Sequence, residues 1–278
     1  MSVTQVMQGV DIPGYRILRG LGEGGMASVF LAMQESLDRE VALKVMSPSL
    51  AANTEFAERF LKEGRLAAKL SHPNLVTVYD IGQHGGVYYL AQEFIPGGTL
   101  RERMLRSMTV AETLDVMRDV ALGLAYAHEK GVVHRDVKPA NVVRDADGRW
   151  VLADFGLGAS VREIPSEGRP SGTPLYMAPE LLGGAAASER SDLYALGMLL
   201  RFALTGRHAF EDCADLESLC EQAARGTAPV GGDRSGIPPA LAAVVDRAVS
   251  PDAAARFDRA AEIAEALRRA AVRPAAKK

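Results

Sequence analysis

The sequence predicts an α+β fold in which strands come first and long helices follow. Short apolar runs at 15–21, 28–32 and 41–46 have the length of strands, whereas later apolar positions recur at helical spacing. A capping box at 109–112 marks the start of a long helix. The length of 278 residues allows one large domain or two small lobes around a buried core.

Composition excludes several classes of protein. The chain has 32 basic and 35 acidic residues, so its net charge of −3 gives no reason to expect a nucleic-acid partner. Cys213 and Cys220 fit neither a disulfide framework nor a zinc pattern, which favours a reducing compartment. The N-terminus lacks the features of a signal peptide. The most apolar stretch, 194–204, is short and contains Arg201, so we expect a buried helix and no transmembrane segment.

A glycine-rich turn at 22–27 joins the first two predicted strands. Glycines there let backbone N–H groups approach phosphate oxygens, although an ordinary hairpin explains the pattern equally well. A dinucleotide-binding fold would need a helix directly after the glycines, and 29–31 has the pattern of a strand instead.

The third strand and the first helix carry one charged residue each at positions where a pair is expected. Alternation along 41–46 places Ala42 and Lys44 on one face of the strand. A helix at 55–70 has an apolar stripe that Glu63 interrupts. A buried carboxylate needs a cation, and Lys44 is the candidate; an exposed glutamate at the edge of the stripe is the alternative. Further strands at 75–79 and 87–91 complete a five-stranded sheet.

The second half of the chain is predicted to be mainly helical. The helix that begins at the 109–112 box and closes at Gly131 has a core face, on which His128 is expected to be a satisfied core histidine and not a ligand. The other residues of this face are Leu114, Met117, Ala121 and Leu124. Segments 237–249 and 258–271 are predicted to be helices without chemistry.

Segment 131–156 concentrates the polar residues that carry chemistry. Asp136, Lys138 and Asn141 precede a hairpin formed by two apolar runs around the turn at 145–148, and Asp154 follows it. Asn141 and Asp154 supply hard oxygen ligands for an ion such as Mg²⁺. Asp136 and Lys138 suit a hydroxyl nucleophile and a migrating phosphoryl group. The alternative is a polar, solvated turn.

These motifs resemble a known family. HRDVKPANVV and DFG are similar to the catalytic and metal loops of protein kinases, and Lys138 resembles the serine/threonine branch. GEGGMASVF, VALKVM and HRDVKPANV resemble the bacterial eukaryotic-like (Hanks-type) kinases, over residues 12 to 270. The resemblance implies a two-lobed protein kinase fold. Its small lobe, 12–95, would hold a five-stranded antiparallel sheet and one helix; its large lobe, 96–271, would be mainly α-helical, and 272–278 a short basic tail.

The resemblance also implies roles for individual residues. Asp136 would accept the proton of the substrate hydroxyl, Lys138 would steady the γ-phosphate, and Lys44 would pair with Glu63. Asn141 and Asp154 would hold Mg²⁺, with Mn²⁺ as an alternative ion. ATP would contact Leu21, Gly22, Gly24, Val29, Ala42, Lys44, Glu93, Ile95 and Val143. Two positions depart from the usual pattern: Ala27 replaces the third glycine of the loop, and the gatekeeper position holds the polar Gln92.

Residues 154–180 resemble the activation segment, which ends with GTPLYMAPE. By resemblance, the phosphoacceptor would be Ser166, Ser171 or Thr173, with Arg135 and Arg59 binding the added phosphate. A flexible serine-rich loop is the alternative. Two structural contacts are also implied: Arg256 would pair with Glu180, and Asp192 would accept backbone N–H groups from 134–135, unless Asp192 is only a first-turn carboxylate favoured by the helix dipole.

We therefore expect a serine/threonine protein kinase that autophosphorylates its activation loop and acts on protein substrates in bacterial signalling. The competing class is a pseudokinase that binds nucleotide without turnover. Ala140 and Thr99 replace acidic residues of arginine-directed kinases, so no strong preference for arginine before the target is expected. The expected location is the cytoplasm, for this chain alone or for the cytoplasmic part of a longer membrane-associated protein. Dimerisation for trans-autophosphorylation is compatible with this expectation.

Overall fold

The computed structural model describes residues 11–24, 27–155, 173–233 and 236–271. The described chain forms two compact units that divide after Pro96. Asp154 and Phe155 belong to the first unit, although the catalytic-loop residues that precede them in sequence belong to the second. The predicted boundaries at 95/96 and 271/272 stay predictions.

The first unit contains an antiparallel sheet of five strands in the part of the chain that is described. The sheet order is β1-β2-β3-β5-β4, and each pair of neighbours is antiparallel, as the sequence predicts. The strands are β1 (Tyr15–Glu23), β2 (Ala27–Gln34), β3 (Arg39–Met46), β4 (Val78–His84) and β5 (Val87–Glu93).

Period-two alternation on β3 separates two hydrophobic clusters. Val41, Leu43 and Val45 pack with residues of β2 and β5 on one face of the sheet. Met46, two positions from Lys44, packs on the other face against Phe60. Lys44 therefore lies on the face of the sheet that meets the helix, as the alternation in sequence predicts.

The helical part of the first unit consists of α1 (Pro48–Ala51) and α2 (Thr54–Ala67). The buried stripe of α2 runs through Ala57, Phe60, Gly64 and Ala67. Glu63 is half-buried beside this stripe and does not interrupt it, which corrects the sequence interpretation. Gly64 takes the buried position because a Cβ there would meet Ile81 Cδ1 at 2.0 Å.

One predicted strand was placed wrongly. The pattern at 75–79 suggested a strand, but β4 begins only at Val78 and extends to His84. Leu75 and Val76 are buried in the connection that precedes it. An apolar run marks burial, and burial alone does not distinguish a strand from a packed connection.

The second unit is mainly helical, with one two-stranded hairpin among its described residues. The hairpin pairs β6 (Val142–Arg144) with β7 (Trp150–Leu152). The helices are α3 (Leu100–Arg103), α4 (Val110–Glu129), α5 (Pro179–Leu182), α6 (Glu189–Thr205), α7 (Leu216–Arg225), α8 (Val230–Asp233), α9 (Pro239–Ala248) and α10 (Ala260–Ala271), with short 3₁₀ turns at Pro139–Asn141, Thr173–Tyr176 and Ala253–Ala255.

Helices α4 and α6 form the centre of this unit. The predicted capping box is present at the start of α4, where Thr109 and Glu112 exchange hydrogen bonds, and the predicted core face of α4 is buried. Helix α6 is buried along most of its length and ends at Gly206, whose φ of 69° is the left-handed value that favours glycine. None of the helices in the described ranges is long and apolar enough to cross a membrane.

Candidate active site

Lys44 and Asp154 form the charged centre of the first unit. Lys44 Nζ lies 3.2 Å from Asp154 Oδ1, and both side chains are partly shielded from solvent. Asp154 has a φ of 64°, a left-handed conformation that is costly for a residue with a Cβ. The backbone thus holds the carboxylate in a defined place. The Lys44–Glu63 pair stays a prediction.

The predicted nucleotide contacts of the first unit lie on β1, β2, β3 and β5, except Gly24 and Ile95, which follow β1 and β5. Gly22 pairs with Val29 across the first hairpin, and the amide of Gly24 donates to the carbonyl of Ala27 at 3.0 Å. Ala42 is buried and pairs with Gln92, the predicted gatekeeper. The amide of Glu93 donates to the Thr77 carbonyl at 2.9 Å. The described ranges omit 25–26, the tip of the glycine-rich turn.

In the second unit, three side chains converge on the carboxylate of Asp136. Lys138 Nζ lies 2.8 Å from Oδ2, and Asn141 Nδ2 donates to the same oxygen at 3.0 Å. The hydroxyl of Thr173 lies 3.4 Å from Oδ1 and accepts a hydrogen bond from Lys138 at 2.9 Å. Asn141 Nδ2 also donates to the backbone carbonyl of Asp136 at 2.8 Å. This cluster fixes a carboxylate next to an ammonium group, an arrangement suited to hydroxyl activation.

Thr173 was predicted as one of three phosphoacceptors. Its hydroxyl contacts both Lys138 and Asp136, and its role as a phosphoacceptor stays a prediction. Ser166 and Ser171, the other two candidates, lie outside the described residues. Arg59, a predicted phosphate ligand, forms an ion pair with Glu55 one turn earlier on α2.

Asp192 holds the backbone of the catalytic loop. The amide of His134 donates to Oδ2 and that of Arg135 to Oδ1, both at 2.7 Å. These are the contacts that the resemblance implies, and they exceed what a first-turn carboxylate needs. Arg135 has a φ of 69°, so the loop adopts a strained left-handed turn directly before Asp136.

Glu180 and Arg256 form the second implied contact. Arg256 donates to both carboxylate oxygens of Glu180, from Nη1 at 2.7 Å and from Nη2 at 2.8 Å. A bidentate pair of this kind is strong and directional. It ties the end of the activation segment to the connection between α9 and α10.

The family follows from comparison with known proteins. Residues 15–257 match the family described as protein kinase domain. The chain belongs to the protein kinase family. The match includes both Lys44 and Asp154 of the first unit and the catalytic loop, Asp192, Glu180 and Arg256 of the second.

Individual relatives are bacterial. The kinase domain is 39% identical over 201 residues to the serine/threonine-protein kinase PrkC of Bacillus subtilis, covering 71% of this chain and 31% of PrkC. It is 37% identical over 271 residues to PknJ of Mycobacterium tuberculosis, covering 94% and 46%. The chain thus spans about a third to a half of these relatives. The solved kinase domain of M. tuberculosis PknI matches with a TM-score of 0.77 and 33% identity, covering 95% of this chain and 98% of that one.

Family membership implies ATP and a divalent metal ion, and the chemistry of the residues present suits the metal ion. Asn141 directs its Nδ2 toward Asp136, so Oδ1 is the atom of this amide that suits a cation. Asp154, in the first unit, carries a carboxylate, a ligand of the same hard type. Carboxylate and amide oxygens are the ligands that hard divalent ions prefer.

Sequence reasoning missed three features of the site. Gly64 carries no polar group and showed no signal beyond its position on α2. Thr173 was noted only as a phosphoacceptor. Its hydroxyl also forms hydrogen bonds with Lys138 and Asp136. His128 was expected to be fully satisfied, but its Nδ1 is buried without a hydrogen-bond partner.

Proposed function

We propose that this kinase domain transfers the γ-phosphoryl group of ATP to serine or threonine hydroxyls of proteins. The observation that carries the proposal is the cluster around Asp136, in which Lys138, Asn141 and Thr173 fix one carboxylate. The names of the bacterial relatives support the serine/threonine class. Retention of Lys44, Asp136, Asn141 and Asp154 speaks against a pseudokinase.

In the first unit, the proposed role of Lys44 is to bind phosphate oxygens, with Glu63 and Asp154 as its anionic partners. The adenine base would rest on Ala42, and its ring nitrogens would meet the backbone of Glu93 and Ile95. The amide of Glu93 already donates to Thr77, so its carbonyl is the group proposed to accept from adenine. Leu21, Gly22, Gly24 and Val29 would cover the nucleotide, and Val143 of the second unit is proposed as a further contact.

In the second unit, Asp136 is proposed to orient the substrate hydroxyl and to receive its proton. The hydroxyl oxygen then forms a bond to the γ-phosphorus, the bond to the bridging oxygen breaks, and ADP leaves. Lys138 would balance the negative charge on the γ-phosphoryl oxygens. Positioning and charge stabilisation supply most of the rate in such reactions.

Mg²⁺ is the proposed metal, with Mn²⁺ as a substitute, and Asn141 and Asp154 are the proposed ligands. A bound divalent ion supplies positive charge that neutralises phosphate oxygens. The chain's own contribution is to hold the two oxygen ligands: Nδ2 of Asn141 is anchored on Asp136, and Asp154 is anchored on Lys44.

The proposal extends to regulation, target preference and cellular location. Ser166, Ser171 or Thr173 would be autophosphorylated, with Arg135 and Arg59 as ligands of the phosphate, and dimerisation would permit transfer in trans. Thr99 and Ala140 predict that a peptide array shows no strong preference for arginine before the target. Action in the cytoplasm in bacterial signalling, as part of a longer protein or alone, completes the proposal.

A radiolabelled-ATP assay with a generic protein substrate tests the proposal. Wild type should transfer phosphate, and Asp136→Asn should lose about 10³-fold or more of kcat, because the proton acceptor is removed. Equal, background-level incorporation by both proteins would favour the pseudokinase. Phosphosite mapping of the wild-type protein after incubation with Mg-ATP would identify the residue class and test Ser166 and Ser171 together.

A further inference from the structure

The side chain of His208 packs against the turn that contacts the catalytic carboxylate. This turn is the 3₁₀ segment Thr173–Tyr176, and the Thr173 hydroxyl contacts both Asp136 and Lys138. At the other end of the turn, Tyr176 is 8% exposed and meets the imidazole of His208 edge to face, with ring centroids 5.0 Å apart. The turn is therefore bound to the catalytic loop at its first residue and to His208 at its last.

The imidazole of His208 is fixed by its own neighbours. Its Nδ1 accepts a hydrogen bond from the amide of Phe210 at 3.3 Å. The amide of His208 donates to Glu211 Oε2, also at 3.3 Å. The rings of Phe202 and Phe210 lie 6.0 and 6.2 Å from the imidazole, measured between centroids. Tyr176 thus packs against a ring whose position depends on one hydrogen bond and on two other aromatic side chains.

The hydrogen bond at Nδ1 requires the neutral imidazole. A nitrogen that accepts carries no proton, so the single proton of the His208 ring belongs to Nε2. Nε2 is buried and has no hydrogen-bond partner among the described residues. An apolar ring would fill the same place without burying an unpaired donor, so packing alone does not explain an imidazole here. A second proton can bind only at Nδ1, where it takes the lone pair that the Phe210 amide needs.

The surroundings of His208 favour the neutral ring. Burial lowers the pKa of His208 to about 4. The charge of Arg201 on α6 adds to this shift, whereas that of Glu211 opposes it. Glu211 is also bound by Arg207, whose Nε donates to Oε1 at 2.6 Å. From the turn, Tyr176 contributes an uncharged phenol, because burial raises its pKa to about 12. The folded protein therefore keeps this imidazole neutral near pH 7.

We propose that neutral His208 is a positioning residue that holds this turn in place for the protein substrate, and that protonation of His208 opens the turn. In the open form Tyr176 has left the imidazole, and the ring is exposed to water. A substrate hydroxyl that reaches Asp136 lies next to Thr173, so opening the turn alters the surface on which the substrate binds. The inference rests on the proposed kinase function, but it concerns a residue that acts only through the turn.

Hydrogen exchange measures the opening of the turn directly. The amide of Met177 donates to the Pro174 carbonyl at 3.1 Å, so its protection reports whether the turn is closed. Since the pKa of His208 is about 4 in the closed form and about 6.5 in the open form, the ratio of open to closed molecules should rise about tenfold from pH 7.5 to pH 5.5. The protection factor of the Met177 amide should fall by the same factor. Amides in the middle of α4 are the reference for global unfolding and should be better protected at both pH values.

Two substitutions separate the ring from its proton. His208→Phe keeps a flat ring against Tyr176 and cannot titrate, so the Met177 protection factor should stay within about twofold over this pH range. His208→Ala removes the ring, so protection should already be about tenfold lower at pH 7.5. His84→Asn is the control for the loss of an exposed imidazole and should respond to pH as wild type does. If the phenylalanine variant does not fold, His208→Asn takes its place, because its Oδ1 can accept from the Phe210 amide and does not titrate.

Steady-state kinetics tests whether the turn serves the protein substrate. At pH 7.5, His208→Ala should raise the KM for a protein substrate about tenfold, with the KM for ATP within about twofold of wild type, because only the turn is displaced. His208→Phe should restore the wild-type KM for the protein substrate. A merely structural role would lower the amount of active enzyme and leave both KM values unchanged.

The possible outcomes separate this inference from the kinase function. Wild-type protection that does not change with pH would overturn the inference, and so would an equal pH response in wild type and His208→Phe. A wild-type KM for the protein substrate in His208→Ala would also overturn it. If wild type transfers no phosphate while the Met177 amide shows the expected pH response, the kinase function fails and the opening of the turn by protonation stands.

Discussion

The second unit contains two ion pairs of similar geometry that differ in burial. The buried pair holds the fold together, and the partly exposed pair is available for chemistry. Arg256 pairs with Glu180, and Lys138 pairs with Asp136, at nearly equal distances of 2.7 and 2.8 Å. The Arg256 side chain is 0% exposed, whereas that of Lys138 is 24% exposed. Distance is therefore not what distinguishes the two pairs.

The partners of the two cations differ in kind. Arg256 directs its remaining donors to backbone carbonyls: Nε to Ser250 at 2.8 Å, Nη1 to Arg190 at 3.0 Å and Nη2 to Pro251 at 3.2 Å. The recorded partners of Lys138 are side chains of the catalytic cluster. A guanidinium bound to the main chain on several sides cannot move without disturbing the fold. An ammonium bound to solvent-facing side chains can exchange them for phosphate oxygens.

The largest expected effect comes from making the same substitution at both cations. Arg256→Met should lower the free energy of unfolding by about 3–5 kcal/mol, because it leaves Glu180 and three carbonyl groups without their donor. Lys138→Met should change it by less than about 1 kcal/mol while abolishing most phosphoryl transfer. Urea unfolding of both variants, with a kinase assay in parallel, checks the contrast. Equal loss of stability at the two positions would refute it.

Prediction from sequence succeeded where a pattern is local. Alternation placed Val41, Leu43 and Val45 on one face of β3, and the 109–112 capping box located the start of α4. The motif around Asp136 likewise predicted its neighbours Lys138 and Asn141, because these residues are close along the chain. The family is confirmed by the match over residues 15–257.

Prediction failed where contacts between distant segments decide the outcome. Thr173 reaches Asp136 across 37 positions of the chain, and His128 reaches Asp192 across 64. Gly64 takes the buried place on α2 because Ile81 packs against it, which the helical pattern alone does not reveal. Each of these depends on a partner that sequence spacing does not identify.

His208 is a buried histidine, and the pH dependence of stability gives a second test of how burial acts on a charged group. His208 accepts a hydrogen bond from the Phe210 amide at Nδ1, while Nε2 is buried without a partner beside the ring of Tyr176. Burial lowers the pKa of His208 to about 4. The charge of Glu211 opposes this shift, and the charge of Arg201 adds to it. The folded state therefore holds this imidazole neutral under conditions where the unfolded chain protonates it.

The expected result is a stability that depends on pH in one direction. Because the unfolded state binds the proton first, the contribution of His208 is fully present above about pH 6.5 and is lost as the pH falls toward 4, by up to about 3 kcal/mol. In His208→Asn the Oδ1 atom can accept the hydrogen bond that Nδ1 accepts in wild type, and the amide side chain does not titrate. Urea unfolding between pH 7 and 4 should show a shallower decline for this variant, and parallel curves would argue against the assignment.

The next smaller effect on stability is expected at Gly197, where close packing of two helices is at stake and no charge is involved. A Cβ at Gly197 on α6 would lie 2.7 Å from Ala248 Cβ and 3.1 Å from the Ala248 backbone carbon, so α6 and α9 have no room for it. Gly197→Ala should lower the free energy of unfolding by about 1–3 kcal/mol, with a thermal melt as the measurement. Gly183→Ala is the matched control, since a Cβ there meets its nearest atoms at an ordinary 3.5 Å and should change little.

The smallest effect is expected at an exposed network of several hydrogen bonds. Thr109 and Glu112 exchange hydrogen bonds at the start of α4, and Arg103 binds Glu112 at 2.6 Å. These side chains face solvent, so water can replace each partner. Thr109→Ala should therefore cost only about 1 kcal/mol, the usual value of a helix cap. Arg103→Met should cost less than about 1 kcal/mol. A loss at Arg103 as large as that of Arg256→Met would mean that the count of hydrogen bonds, and not burial, sets the stability of this unit.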